Sequence, residues 1–174
     1  RYLSGLNNTK EIKLTEEEKE AGLKFLKKPD ILKEITDDLE LMGYVGEEVN
    51  KLLMYLAATS RKLDDPISIL VLSQSASGKS LLVDAVKRLM PPEDVVSLVS
   101  LSDQALNYAS SLLHKFLIFG EAVHSETIEH QVREMLSSKE LTRLVTLKDE
   151  RSGELKSKLV KKDVIVSSVI STTN

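Results

Sequence analysis

The chain has 174 residues, of which 41% are hydrophobic and 29% charged, a composition typical of one globular domain with room for a small helical attachment. It contains no cysteine, which excludes disulfides, zinc knuckles and thiol catalysis and fits a cytoplasmic location. No apolar run reaches the ~18 residues that a membrane span needs, so we expect no membrane partner.

The formal net charge of −3 is unevenly distributed along the chain. Seven basic and three acidic residues lie between Arg143 and Lys162, so this segment carries +4 and the remainder carries −7. A local basic feature on an acidic body can still bind nucleic acid.

The chain begins with a pattern of helices. Thr15 followed by Glu18 forms a capping box, which predicts a helix that runs to about Lys28. Apolar residues at helical spacing predict a second helix that ends at Gly43, where a helix stop is expected.

A third helix is predicted over about 47–62. Its apolar residues at helical spacing lie on one face: Val49, Leu52, Leu53 and Leu56. We therefore expect residues 1–63 to form an N-terminal helical subdomain.

After Pro66 the pattern changes to alternating strands and helices. Short apolar runs predict strands at 67–72, 95–101, 116–120 and 164–171, with helices at about 80–90, 102–108 and 126–137. The near-continuous apolar character of the first strand predicts burial on both faces. Strands that alternate with helices indicate a mainly parallel sheet with helices on both faces.

The segment between the first strand and its helix has the sequence SQSASGKS. It matches G-x-x-x-x-G-K-[ST], with Ser73 in place of the first glycine. Small residues let successive backbone amides point at phosphate oxygens, and the N-terminus of the following helix adds to this effect. We predict that Lys79 reaches the β and γ phosphates of ATP and that the Ser80 hydroxyl binds Mg²⁺. The predicted nucleotide-binding residues are Ser73, Ser75, Ala76, Ser77, Gly78, Lys79, Ser80 and Leu81.

The motif and the alternation together define the predicted fold class. We expect an α/β P-loop NTPase core over residues 64–174, truncated at its sensor strand. The N-terminal helical subdomain precedes this core, and a β-hairpin is inserted in it.

Two polar residues follow core strands at the edge where open α/β sheets bind ligands. Glu121 ends the FLIFG strand, and a carboxylate there can bind Mg²⁺ or polarise the attacking water. Asn174 follows a later strand and is predicted to sense the γ-phosphate and orient water. We therefore assign Lys79, Glu121 and Asn174 to catalysis, and Ser80 with Glu121 to the metal.

A basic hairpin is predicted over 141–160, with its turn at Ser152 and Gly153. Its arms are too polar for core strands, and a protruding basic hairpin suits contact with the backbone of a DNA or RNA strand. A solvated hairpin whose lysines protect its edges is the alternative. The predicted DNA contacts are Lys148, Arg151 and Lys156.

These motifs resemble the C-terminal ATPase-like region of the DNA primases and primase-helicases that bacterial mobile elements encode. The resemblance extends from Leu14 to Asn174 and rests, in order, on LTEEEKEAGLKFL, GYVGEEVNKLLMYLAATSRKLDDPISILV, SASGKSLLVDAV, HKFLIFGE, LSSKELTRLVTLKD, RSGEL and STTN. The arrangement is also similar to that of superfamily 3 helicases and their AAA+ relatives, in which a hairpin before the sensor strand projects into a hexamer pore.

The resemblance implies a DNA motor that forms a ring, is driven by ATP with Mg²⁺, and requires a neighbouring subunit for hydrolysis. It implies that Lys79 and Ser80 contact nucleotide and Mg²⁺, that Glu121 is the strand-end acid, and that Asn174 is the sensor. It also implies that the hairpin tip near residues 148–156 lies on DNA. The relatives carry a run of acids after this strand, whereas the present chain has GEAV.

Two other functions are compatible with the same residues. Glu121 is flanked by Gly120 and Ala122, and a single acid suits a nucleotide-binding assembly module that does not hydrolyse ATP. A small-molecule kinase also combines a P-loop with a compact α/β body, but such kinases usually carry arginine-rich lids, and arginine is sparse here.

Overall fold

The computed structural model describes residues 14–73, 78–98, 112–120, 126–148 and 155–173. The helices are α1 (Glu16–Leu26), α2 (Ile31–Leu41), α3 (Glu48–Thr59), α4 (Lys79–Leu89) and α5 (Glu126–Ser138). The strands are β1 (Ser68–Ser73), β2 (Val95–Leu98), β3 (Leu112–Phe119), β4 (Glu140–Lys148) and β5 (Leu155–Thr173), and short 3-10 turns cover Ser60–Lys62 and Pro92–Asp94. No helix in these ranges combines the length and the apolar character that crossing a bilayer requires.

The predicted signals at the ends of α1 and α2 are confirmed. The Glu18 amide donates to the Thr15 hydroxyl at 3.2 Å, and the Thr15 amide donates to the Glu18 carboxylate at 2.7 Å, which completes the capping box. Gly43 has a φ of 95°, and the Tyr44 amide donates to the Leu39 carbonyl at 3.1 Å. A left-handed residue after a helix favours glycine, which explains why α2 ends here.

The apolar face of α3 faces solvent, contrary to the usual meaning of such a pattern. Val49 is 71% exposed and Leu53 is 55% exposed. The buried side of α3 consists of Lys51, Met54, Ala57 and Ala58. A lysine can lie there because its Nζ is 2.9 Å from Glu40 Oε1, so the buried charge has a partner.

The core sheet has the strand order β1-β5-β3-β2, and its neighbouring strands are parallel. β5 therefore lies between the strand that precedes the P-loop and the strand that precedes Glu121. Parallel strands need crossover connections, and helices cover both faces of this sheet. The predicted α/β P-loop NTPase fold class is confirmed.

Hydrophobic clusters lie on both faces of the sheet. On one face, α2, α3 and α4 pack against Phe116 and Val169, neither of which has any exposed surface. On the other face, Met135 of α5 packs in a cluster with Leu117 and Val166. The helical segment thus shares a core with the P-loop part, and the boundary between residues 63 and 64 stays a prediction.

β1 is buried on one face only, so the prediction of burial on both faces is wrong. Leu70 and Leu72 are 57% and 55% exposed, whereas Ile69 and Val71 pack against the cluster beneath α4. Among the described strands β1 pairs only with β5, which places it at an edge of the sheet. The face of β1 that carries Leu70 and Leu72 is therefore not covered, although these side chains are apolar.

β5 is one strand of 19 residues, where the sequence predicts two separate strands. Its first part pairs antiparallel with β4, from Asp163 opposite Glu140 to Leu155 opposite Lys148, and its second part lies in the core sheet. The antiparallel pairing of the two predicted arms is therefore confirmed, as an extension of a core strand, and the predicted turn at Ser152 and Gly153 lies outside the described residues. At about 3.3 Å per residue, its arms of about nine residues are roughly 30 Å long.

Candidate nucleotide-binding site

The candidate site lies where β1 ends and α4 begins. β1 ends at Ser73 and α4 begins at Lys79, so the predicted P-loop has the strand before it and the helix after it that the motif requires. Ser75, Ala76 and Ser77 of the predicted set lie outside the described residues.

Gly78 adopts the conformation that a P-loop glycine needs. Its φ is 85° and its ψ is 4°, in the left-handed region where a side chain is strained. A Cβ built on Gly78 would meet no atom within 4 Å, so the space beside this backbone is open. Gly78 is the N-cap of α4 and has no side chain with which to cap it, and its carbonyl accepts the first helical hydrogen bond from the Leu82 amide at 3.1 Å. A helix that begins in this way suits a bound anion.

In the first turn of α4 one residue is buried and two are exposed. Lys79 is only 8% exposed, whereas Ser80 is exposed and Leu81 is 51% exposed. Lys79 already interacts with another group of the protein, and phosphate is an anion that can stabilise a lysine in such a position. An exposed hydroxyl at Ser80 is accessible to Mg²⁺, which prefers oxygen ligands. The residues of this turn therefore fit a Mg²⁺–nucleotide.

The carboxyl ends of the core strands meet beside this turn. Ser73, the last residue of β1, pairs with Thr173, the last residue of β5. On the other side of β5, Phe119 at the end of β3 pairs with Ile170. Open α/β sheets bind ligands at this edge.

The predicted acid and sensor follow directly on these strand ends. Thr173 immediately precedes Asn174, and Gly120 immediately precedes Glu121. The Gly120 amide donates to the Leu98 carbonyl at 3.2 Å, which holds the end of β3 against β2. Glu121 and Asn174 lie outside the described residues, so their catalytic and metal-binding roles stay predictions.

The predicted DNA contacts lie at the far end of the hairpin from the core. Lys148 is the last residue of β4, Lys156 is near the start of β5, and Arg151 lies outside the described residues. The hairpin part of β5 precedes the core part, whose last residue pairs with Ser73. The hairpin and the candidate nucleotide site are therefore at opposite ends of one strand.

A cavity of about 160 Å³ lies away from the P-loop, at the amino end of β1 and the base of the hairpin. Asp65, Ser68, Met135 and Lys139 are among its lining residues. Lys139 Nζ donates to the Asp64 carbonyl at 3.0 Å and pairs with the Asp65 carboxylate. This cavity has no contact with Gly78 or Lys79 and is not part of the nucleotide site.

Sequence reasoning missed a buried charge cluster centred on Asp94. The Asp94 carboxylate lies 2.7 Å from Lys62 Nζ, 3.2 Å from Arg61 and 3.5 Å from Lys115 Nζ. Burial raises the pKa of Asp94, but the hydrogen bonds and charges of Lys62 and Arg61 outweigh this effect and lower the pKa below its usual value. Asp94 and Arg61 are 33 residues apart, so no local pattern predicts their contact.

His114 joins this cluster to β3. It has a φ of 57° and lies where the pairing of β3 with β5 shifts register. Its Nδ1 donates to the Arg61 carbonyl at 2.8 Å. Within the described part of the chain no group of three or more histidine, aspartate or glutamate side chains is placed to hold a metal ion.

The site consists of a strand, a left-handed glycine and a helix that begins with Lys79 and Ser80. It lies in a parallel sheet with helices on both faces. Together these features define a P-loop nucleotide-binding domain. Residues 13–171 match the family described as the MTBMA_p00010 P-loop domain. The chain belongs to this family.

Further comparisons add little to this assignment. No curated protein matches the chain. Among solved structures, NtrX from Brucella abortus is similar with a TM-score of 0.45 and 16% identity, over 82% of this chain and 34% of that chain. The chain thus spans about a third of the length of that structure.

Proposed function

We propose that this P-loop domain binds ATP with Mg²⁺ and hydrolyses it as the ATPase domain of a DNA primase or replicative helicase-like protein of a mobile element. Hydrolysis would be coupled to DNA binding or translocation. The ordered motifs support the mobile-element origin through their resemblance to such primases. In this proposal residues 1–63 form a helical attachment and residues 64–174 the motor core.

The position of β5 carries the proposal. β1 ends before the P-loop, β5 ends before Asn174, and β3 ends before Glu121. Because β5 lies between β1 and β3, these three strand ends are neighbours at one edge of the sheet. ATP hydrolysis needs a phosphate cradle, a group that orients water, and an acid beside the metal. The strand order brings the three chain segments with these residue types to one edge.

Each residue of the proposed site would have one task. Bound Mg²⁺ would neutralise charge on the β and γ phosphates. Lys79 would position the same phosphates, and the Ser80 hydroxyl would hold the metal. Glu121 would hold a metal-bound water or polarise the attacking water, and Asn174 would orient that water against the γ-phosphate.

DNA and further copies of the chain are the proposed partners. Seven basic residues between Arg143 and Lys162 make the hairpin segment positive on an otherwise acidic chain, and phosphate neutralisation needs such charge. Lys148, Arg151 and Lys156 are the proposed contacts near the tip. Assembly into a ring would let a neighbouring subunit complete each nucleotide site.

The substitution Lys79→Ala tests the assignment. ATP hydrolysis stimulated by single-stranded DNA should fall by at least about a hundredfold, because the charge that stabilises the transferred phosphoryl group is removed. Lys87→Ala is the matched control, since it removes the same charge from an exposed position in the last turn of the same helix. Thermal unfolding of both variants checks that each is folded. Equal hydrolysis by the two folded variants would show that the site is assigned wrongly.

A non-hydrolysing assembly module is the second candidate function, and the single acid after β3 favours it. Glu121 has Gly120 and Ala122 as neighbours, so no adjacent carboxylate shares the work of metal binding and water activation. ATP binding without turnover, measured on the wild type with DNA present and at concentrations that allow assembly, would support this function. Turnover that is lost in Glu121→Gln would support the motor.

A further inference from the structure

The pairing register of the hairpin sorts its charged residues onto two faces. Residues directly opposite in an antiparallel pair lie on the same face, and successive residues of a strand alternate between faces. Lys158 lies opposite Val145, Lys156 opposite Leu147, and Arg143 opposite Val160. Arg143, Lys156, Lys158 and Lys162 therefore share one face of the hairpin, here called the basic face.

The opposite face of the hairpin has balanced charge. Its charged residues by register are Glu140, Lys148, Lys161 and Asp163, two acidic and two basic. Lys161 Nζ lies 2.9 Å from Glu140 Oε1, and hydrogen bonds from Thr142 and Lys161 hold the pKa of Glu140 below its usual value. Among the paired residues 140–148 and 155–163, the basic face by contrast has four cations and no acid.

The core of the protein supports this division. Leu141 belongs by register to the basic face, where it lies opposite Lys162. It packs in the same hydrophobic cluster as Val164 and the α5 residue Met135. The basic face is therefore continuous with the face of the core sheet that α5 covers.

We infer that the basic face binds the sugar–phosphate backbone of single-stranded nucleic acid along the arms of the hairpin; this rests on the proposed function. Cations that share one face attract the phosphates of a nucleic-acid strand. Residues 140–163 include no aromatic side chain, so the hairpin has no platform on which bases can stack. Binding is therefore carried by phosphate contacts and is independent of base sequence.

The inference changes which residues of the hairpin matter. Lys156 stays a contact, and Arg143 and Lys158 join it, because all three lie on the basic face. Lys148 lies on the opposite face, so we replace its predicted DNA contact by those of Arg143 and Lys158. Lys162 continues the basic face toward the core and already interacts with another group of the protein.

The test is a salt titration of oligothymidylate binding by the full chain, followed by fluorescence anisotropy. With contacts from Arg143, Lys156 and Lys158, the logarithm of the association constant should fall against the logarithm of salt concentration with a slope of about −2, since each neutralised phosphate on a single strand contributes about −0.7. Lys158→Gln should reduce the magnitude of this slope by about 0.7, and the double change Lys156→Gln with Lys158→Gln by about 1.4. Oligodeoxyadenylate should give the same slopes.

Lys161→Gln is the matched control, because it removes the same charge from the opposite face of the same strand. It should leave the slope unchanged. The basic face is overturned if Lys158→Gln and Lys161→Gln reduce the slope equally, or if Lys158→Gln does not reduce it. DNA binding by the protein stands in either case. A wild-type chain that binds no oligonucleotide overturns both the basic face and the DNA part of the proposed function, whereas the ATP part is judged separately by Lys79→Ala.

Discussion

At the scale of single residues, two glycines offer a matched test of the P-loop. Gly78 and Gly46 have φ values of 85° and 80°, and a Cβ added to either would meet no atom within 4 Å. Alanine at either position should therefore cost about 1 kcal/mol of backbone strain without a clash. Only Gly78→Ala should also weaken ATP binding, because its new methyl group would stand in the open space before α4.

Chemical unfolding of the two alanine variants, together with titration of a fluorescent ATP analogue, separates strain from the loss of the site. We expect Gly78→Ala and Gly46→Ala to lose similar amounts of unfolding free energy, and we expect only Gly78→Ala to lose nucleotide affinity. Equal affinities in Gly78→Ala and Gly46→Ala would mean that phosphate does not occupy the space beside Gly78.

Loss of the Asp94 carboxylate should destabilise the folded protein, because buried Arg61 pairs with it. Asp94→Asn leaves Arg61, which is 5% exposed, without its charged partner, and such losses cost about 3 kcal/mol. Asp84→Asn, on the exposed side of α4, is the control and should change the free energy of unfolding by less than about 0.5 kcal/mol. Urea unfolding at neutral pH measures both.

The contribution of Asp94 should depend on pH in a direction that its lowered pKa determines. The folded protein binds this proton less readily than the unfolded chain, so the stabilisation is fully present above the unfolded-state pKa of about 3.9. It is lost as the pH falls through the lower pKa of the folded state. The difference in unfolding free energy between wild type and Asp94→Asn should therefore shrink below about pH 4, and a difference that grows there would contradict the charge cluster.

At the scale of elements, α3 has an apolar face that is exposed and a different face that is buried. Met54 is 2% exposed and its neighbour Leu53 is 55% exposed. Met54→Ala should cost about 2–5 kcal/mol of unfolding free energy, whereas Leu53→Ala should cost less than about 1 kcal/mol because half of its surface is already in water. The reverse order, measured by chemical unfolding, would show that the face predicted from sequence is the buried one.

The sequence does not show which face of α3 is buried, and the reason is physical. The spacing of apolar residues separates the two faces of a helix, but a lysine such as Lys51 is buried only where a partner is present. The partner that permits this burial, Glu40, lies on α2, 11 residues away, and no local pattern indicates it. The capping box at Thr15 was predictable because both of its partners lie within one turn of helix.

In the hairpin and the core strands, too, the sequence predicts local structure but not the contacts between distant segments. Alternation and the Ser152-Gly153 turn predict β4 and the start of β5, which the structure confirms. Lys161, Lys162 and Asp163 predict a break before the core strand, but there the backbone continues without one. The reason is their position beside β4, where Lys161 pairs with Glu140.

For the candidate site, sequence predicts the strand, the loop and the helix, because the motif is contiguous. That Ser73 pairs with Thr173 depends on strand order, which a single sequence does not determine.

At the scale of the whole molecule, β5 joins the two proposed sites. Its last residue, Thr173, pairs with the end of β1, and its first residue, Leu155, pairs with the end of β4 in the hairpin. We expect nucleotide and DNA to bind with a coupling of about fivefold or more, and by linkage each must change the affinity for the other by the same factor. Titrations of a non-hydrolysable ATP analogue with and without oligothymidylate, and the converse, measure both factors. A factor of one in each direction would mean that the shared strand does not couple the sites.

The central claim is that the turn between β1 and α4 holds a triphosphate, and a crystal structure with Mg²⁺ and a non-hydrolysable ATP analogue tests it most directly. The account predicts phosphate oxygens within hydrogen-bonding distance of backbone amides at Gly78–Ser80, the Lys79 ammonium on the β and γ phosphates, and Glu121 and Asn174 at the same edge of the sheet. A nucleotide bound elsewhere, or a turn closed to phosphate while Glu121 and Asn174 point away from it, would contradict the account.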